Sequence, residues 1–409
     1  MHGKARRGNP HLADVGRPRG RGNRSGDRRG ARLLRSLTTR SSLRILQLYP
    51  KADYFTGAAI QLRDLAIGLA ARGHAVTVVT PPSELWAERM RAADVGYVPV
   101  PMQRAWDVRA AWRLAKVIRA GRIQVAHAHK GRARTLALLA GLMGARSKLV
   151  LNRGVSFHVP RARRLGYTSR RVHAIVAVCE SIKRDLVATG VPAQKIEVIY
   201  SGTDVGRFHP GLDGGPIRRE LGLAPEHVLI TQIGVRSWRG WRDVLDAMAR
   251  LAPGAPRARL LFVGAPPPRV AEVGECARER GLEGRVLVLG HREDVPQILT
   301  ASDVVVDASY AGAGLTGSIR EALACERPVV ATDLAGMPEL VIDGETGLLV
   351  PPRDPEALAR ALRRVLENPT WAQVMARAGC KRVDAHFSLR AKLDATEALY
   401  RRLVETRSA

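Results

Sequence analysis

Hydrophobic and polar positions along this chain switch repeatedly between two spacings. Leu43, Ile45, Leu46 and Leu48 mark a short apolar strand, and behind it Leu62, Leu65, Ala66 and Leu69 fall on one helical face. Gly73 suits the end of that helix, and residues 75–79 form a second apolar strand, which completes a strand-helix-strand unit. The same alternation predicts helices over 108–120, 132–142 and 181–189 and strands over 123–126, 148–151, 174–178 and 196–199. Past the Pro/Gly-rich stretch 208–216, strands over 227–233, 258–263, 286–289, 304–306 and 328–331 alternate with helices over 242–250, 271–280 and 318–324. Alternation of this kind implies parallel sheets with helices on both faces, hence an α/β fold with two doubly wound, Rossmann-like domains, 43–208 and 209–385, facing a cleft. In open parallel sheets ligands bind beyond the carboxyl ends of the strands, so two facing sheets suit a two-substrate enzyme.

Composition narrows the class. A chain of 409 residues with 45% hydrophobic and 25% charged residues is ordinary globular protein, and no apolar run reaches the length of a membrane span. Four cysteines, Cys179, Cys276, Cys325 and Cys380, lie far apart without C-x-x-C spacing, which indicates neither a zinc site nor a disulfide framework and fits a reduced, cytoplasmic setting. The formal charge of +28 is unevenly spread: residues 1–42 carry Lys4 and eleven arginines against Asp14 and Asp27. That segment, rich in Gly, Arg and Ser, reads as a disordered basic tail without the apolar core of a secretory signal. It is either an electrostatic contact for phospholipid or nucleic acid or a dispensable extension. Aromatic residues at 4% argue against a nucleic-acid-binding protein, which needs base-stacking side chains or a reading helix.

The most informative segment is 307–322, a strand, a glycine-rich loop and a helix start. Gly312, Gly314 and Gly317 allow close backbone approach to a ligand, and the N–H groups at the helix start favour an anion such as a diphosphate. Glu321, one turn into the helix, is placed to accept hydrogen bonds from two ribose hydroxyls.

Several segments in order then carry a family resemblance: 65–80 behind the Gly57 loop, Ala126-His127-Ala128-His129, Val178-Cys179-Glu180-Ser181-Ile182, 198–204 with Phe208-His209-Pro210, Glu321-Ala322-Leu323-Ala324-Cys325, Gly336-Met337-Pro338-Glu339-Leu340, and 343–351. Over 43–405 the chain resembles the retaining glycosyltransferases of family 4, of GT-B architecture. The resemblance implies transfer of a sugar from a nucleoside diphosphate sugar to a hydroxyl of a glycan or lipid-linked acceptor, of cell-envelope or lipopolysaccharide type. It implies a nucleotide-sugar donor domain at 209–385, an acceptor-side domain at 43–208, and a terminal helix within 386–409 that packs back on the first domain.

By position, Glu321 looks like the second glutamate of the family's paired motif, whereas Ala313 stands where the first is usual. Arg236 and Arg239 resemble the two cations placed on the donor diphosphate; Gly57, Gly314, Leu315 and Thr316 resemble its backbone cradle, and Arg292 lies in the loop that passes the nucleobase. Arg153 stands where many members carry a histidine near the reacting sugar, and His127 and His129 either line the acceptor side or are hydrogen-bonded strand-end histidines. Segment 336–339 is expected to shape the second domain. No D-x-D motif occurs, so neither a metal nor a cofactor beyond the sugar nucleotide is implied. Basic residues from Arg104 to Arg134 with Trp106 and Trp112 suit a peripheral contact with anionic lipid on the cytoplasmic face of the inner membrane, or else are solvated helix faces. Nucleic acid is not an expected partner. The rival readings are a sugar-nucleotide epimerase of the same architecture and a non-catalytic relative.

Overall fold

The computed structural model describes residues 41–54, 56–156, 164–312 and 314–406; all but two residues of the basic tail, and Ala313, lie outside them. Two wholly parallel sheets form. The first contains β1 (Arg44–Leu48), β2 (Ala75–Thr80), β3 (Gly96–Pro99), β4 (Val125–His129), β5 (Lys148–Arg153), β6 (Val172–Ala177) and β7 (Ile196–Val198), in spatial order β3-β2-β1-β4-β5-β6-β7. The second contains β8 (Val228–Ile233), β9 (Ala258–Val263), β10 (Val286–Leu289), β11 (Val304–Asp307), β12 (Val329–Thr332) and β13 (Leu348–Val350), in order β10-β9-β8-β11-β12-β13. In each sheet the order reverses once, between β1 and β4 and between β8 and β11, and such reversals open a crevice at the carboxyl ends of the strands.

The helices that matter for the cleft are α1 (Gly57–Ala71), α2 (Val108–Ala120), α3 (Lys130–Leu142), α4 (Glu180–Ala188), α5 (Trp241–Leu251), α6 (Gly317–Ala324), α7 (Met337–Leu340) and α8 (Leu389–Glu405). Thr56 caps α1 and Asp107 caps α2, each side chain accepting a backbone N–H of the first turn. The last helix, α8, returns from the second sheet and buries Leu393, Leu399 and Tyr400 in the same core as Leu62 and Leu65 of α1. A second core runs across the domain boundary, joining Val178, Cys179 and Ile182 to Leu315, Ile319 and Met337. Among the described residues no helix is long and apolar enough to cross a membrane.

Strands 258–263 and 286–289 and helix 108–120 lie where the sequence pattern predicts them. β4 differs, running to His129 instead of stopping at 126, because its two histidines are buried by hydrogen bonds and not by apolar contact. Helix Glu84–Ala92 and strand β3 carry no periodic signal: the helix is charged apart from anchors such as Trp86 and Met90, and the strand reads Gly-Tyr-Val-Pro at the sheet edge.

Candidate functional site

Both sheet reversals open onto one cavity of about 510 Å³. Its first-domain wall begins at the loop after β1. Tyr49 donates from Oη to Asp53 Oδ1 at 2.7 Å, Thr56 Oγ1 donates to the same oxygen at 2.9 Å, and Trp86 Nε1 donates to the Asp53 carbonyl at 3.1 Å. This mesh fixes the start of α1, where Gly57 lines the cavity and a Cβ added to it would meet nothing within 4 Å.

At the end of β4 the two histidines join a buried chain. His129 Nε2 bonds Gln47 Oε1 at 2.8 Å, Gln47 Nε2 donates to Tyr400 Oη at 3.1 Å, and Tyr400 Oη bonds His127 Nδ1 at 2.6 Å. Because an amide oxygen only accepts, His129 carries a proton on Nε2; Tyr400 Oη, which accepts the Gln47 amide hydrogen, shares a further hydrogen with His127 Nδ1. Burial favours the neutral form of both rings, holding His127 down at about 3 and His129 well below the usual histidine range. Of the two sequence alternatives, the hydrogen-bonded strand-end reading describes their polar contacts, although both rings also line the cavity.

The chain then enters α3 through Lys130, a non-glycine residue held at φ 72°. Its ammonium lies over the Tyr49 ring at 5.0 Å and is lowered by burial, then by Lys51, with Arg236 adding from across the cleft and Asp53 opposing. Arg153 and Asn152 at the end of β5 complete this wall.

The second-domain wall starts from the loop after β8. Arg236 is exposed, its guanidinium 5.6 Å from the Trp238 ring centroid, and among the described residues it has no carboxylate partner. Arg239 is placed differently. It forms an ion pair with Asp307, a carboxylate only 1% exposed at the end of β11, so of the two arginines singled out in the sequence this one is anchored. The glycine-rich loop follows. Gly314 is required by the opposite domain: a Cβ there would stand 2.8 Å from the Gly154 carbonyl oxygen and 2.9 Å from Val178 Cγ2. Leu315 and Thr316 are buried beside it and lead into α6, whose Thr316 N-cap makes no side-chain hydrogen bond, which leaves the first-turn N–H groups without a side-chain acceptor. Glu321 faces the cavity from that helix; burial raises its carboxyl, and Arg320 and Arg207 oppose the shift.

The structure thus gathers Gly57, His127, His129, Arg153, Arg236, Arg239, Gly314, Leu315, Thr316 and Glu321 around one cavity. Arg292 is the exception: it is not among the lining residues, and its guanidinium donates to Glu220 at 2.5 and 2.9 Å and to Asp294 at 2.6 and 2.8 Å. Segment 336–339 is also more than a second-domain shape element. Glu339 accepts from the Glu180 N–H at 2.8 Å and the Ser181 N–H at 3.1 Å, capping α4 of the other domain. Sequence reasoning missed Lys130, Arg320 and Lys392 as lining residues; only Lys130 carried a signal, at a strand-to-helix junction directly before Gly131. Among the described residues no group of three or more His, Cys, Asp or Glu is arranged to hold a metal ion.

Two sequence profiles match the chain: the one described as Glycosyltransferase Family 4 over residues 55–207, and the one described as Glycosyl transferases group 1 over residues 226–368. The chain is 30% identical over 250 residues to the lipopolysaccharide core biosynthesis mannosyltransferase LpsB of Rhizobium meliloti, covering 59% of this chain and 70% of that protein. It is 30% identical over 249 residues to the alpha-maltose-1-phosphate synthase of Mycolicibacterium smegmatis, covering 56% of this chain and 63% of that enzyme, a little under two thirds of its length. The crystal structure of Anabaena HepE in complex with UDP superposes with a TM-score of 0.78 at 22% identity, covering 87% of this chain and 99% of that one. The two facing parallel sheets are those of the GT-B fold.

Proposed function

This chain belongs to glycosyltransferase family 4, and from that premise we propose that it moves a sugar from a nucleoside diphosphate sugar to a hydroxyl of a glycan or lipid-linked acceptor, with retention at the anomeric carbon. The observation that carries the reading is Glu321: an unpaired carboxylate one turn inside α6, in the same cavity wall as the open N-terminus of that helix and the free cation Arg236. Ribose hydroxyls need an acceptor and a diphosphate needs N–H donors and a cation, and these groups stand together.

In the reaction we infer, the diphosphate leaves the anomeric carbon while Arg236, the outward N–H groups of Arg239 and the α6 terminus stabilise the charge that develops on it. The departing oxygen takes the proton of the acceptor hydroxyl on the same face of the sugar, so no side chain acts as nucleophile. His127 and His129, neutral and tied to Gln47 and Tyr400, hold the strand end and do not serve as bases. The LpsB and HepE likenesses support a cell-envelope type of acceptor and a UDP-type donor respectively. Exposed Trp106 and Trp112, 75% and 48% accessible, with Arg109, Arg113 and Lys116 on and beside α2, support a peripheral contact of the first domain with anionic lipid.

Calorimetric titration of UDP, GDP and ADP, with Glu321→Ala in parallel, tests the donor site. One nucleotide binding tightly and weakened at least tenfold by the substitution supports it. No binding of any of the three moves the assignment to a non-catalytic relative.

A further inference from the structure

Arg320, buried, and Lys392, half-buried, are cations that the donor reading leaves without a role. Arg320, on α6, is only 2% exposed and lines the cavity, yet its Nε and Nη1 have no hydrogen-bond partner. Side chains on a helix lean back over the preceding turn, and Arg320 does so, with Nη2 3.7 Å from the position a Cβ on Gly317 would take. Lys392, on α8, lines the same cavity and donates from Nζ to the Gln61 carbonyl at 2.7 Å and to Gln61 Oε1 at 3.0 Å. Two of its three hydrogens are thereby used, on neutral acceptors. Among the described residues neither cation has a carboxylate within ion-pair distance; Glu321 and then Asp64 act on Arg320 through space, Asp64 acts on Lys392 as well, and Asp64 is itself held by Arg63 at 2.6 Å.

Both line the one cavity, and the Arg320 charge acts on Lys392. Burial first, and then Arg320, lowers Lys392 to about 7, and burial lowers Arg320 to about 10. Cations taken largely out of water with no carboxylate at contact distance are costly, and Glu321, acting on Arg320 only through space, leaves its Nε and Nη1 without an acceptor that an anion could supply. Around them the cavity is lined by the hydroxyl-bearing Ser201 and Thr396 and by Gln61, a polar surround matched to an oxyanion.

We propose that Arg320 and Lys392 form an oxyanion-binding subsite for a phosphate group, separate from the Arg236 loop. It joins three elements: α6 of the second domain, α1 of the first through Gln61, and the returning helix α8. A bound phosphate neutralises both cations and ties the two domains together. The group comes either from the bound nucleotide or from a separate anion, and the chemistry of recognition is the same.

The test is thermal unfolding of the full chain against rising inorganic phosphate at constant ionic strength, for wild type, Arg320→Met and Lys392→Met, repeated with the best-binding nucleoside diphosphate at saturation. Wild type is expected to gain in Tm with phosphate by mass action. Each variant is expected to start from a higher Tm without phosphate, because an uncompensated charge has gone, and to respond little. If the wild-type response persists under saturating nucleotide, the anion is separate. If nucleotide abolishes it, and Arg320→Met weakens the nucleoside diphosphate about tenfold or more while leaving the bare nucleoside unchanged, the phosphate is the nucleotide's own. A flat wild-type response, or variants that respond as wild type does, overturns the subsite. Failure of every nucleotide to bind would sink the donor reading alone, since the phosphate titration does not need one.

Discussion

His127 on β4 and Tyr400 on the last helix share a buried hydrogen bond of 2.6 Å although 273 positions separate them. Gln47, the register partner of His127 on β1, donates to the same tyrosine oxygen. A helix that arrives from the second domain therefore supplies the polar partner for the strand end beneath the cleft.

Tyr400→Phe should strand His127 Nδ1 and Gln47 Nε2 in the interior. The expected loss is about 1–3 kcal/mol, the desolvation of groups left without partners. Urea unfolding followed by tryptophan fluorescence checks it; a loss within about 0.5 kcal/mol would mean water takes the hydroxyl's place.

Acid should destabilise this fold through its histidines. His127 stays neutral in the native state down to about 3, whereas in the unfolded chain it gains a proton near 6.5. The unfolded state thus binds more protons between those values, so the contribution is whole above about 6.5 and is lost as pH falls from there. Each such histidine adds a slope of up to about 1.4 kcal/mol per pH unit. His127→Gln should flatten the dependence of unfolding free energy on pH by about one proton; an unchanged slope would contradict the neutral assignment.

Arg236 and Arg239 should separate binding from stability. Arg236→Ala is expected to leave stability within about 0.5 kcal/mol and to weaken nucleoside diphosphate binding. Arg239→Ala leaves Asp307 buried and unpaired, for a loss of about 3–5 kcal/mol, and adding Asp307→Ala should recover most of it. Thermal unfolding of the three variants beside nucleotide calorimetry distinguishes the roles.

Gly57→Ala probes space reserved for a ligand. Among the described residues no atom beyond its chain neighbours and its own helix backbone lies within 4 Å of the added Cβ, so Tm should hold or rise slightly while donor affinity falls. Equal donor affinity in the variant would show that this loop does not approach the phosphate.

Vesicle sedimentation should report the first-domain surface. Trp106→Ser with Trp112→Ser is expected to reduce binding to anionic vesicles, with little binding to neutral ones in either form. Binding unchanged by the double substitution would reduce these residues to solvated surface.

Much of the architecture was legible because its signals are local. Buried parallel strands such as 258–263 read as unbroken apolar runs, and the glycine-rich strand-to-helix segment announced an anion site with Glu321 one turn inside. These follow from spacing along a few residues, which the chain states directly. Partners distant in sequence are another matter. That Asp307 anchors Arg239, that Glu220 and Asp294 hold Arg292, and that Gly314 is small because Gly154 of the other domain presses on it were decided only in the tertiary structure. The same holds for Arg320 and Lys392, two ordinary cations in the sequence, whose charge acquires meaning only from their place in one cavity, since electrostatic cost depends on the surrounding medium and not on the residue alone.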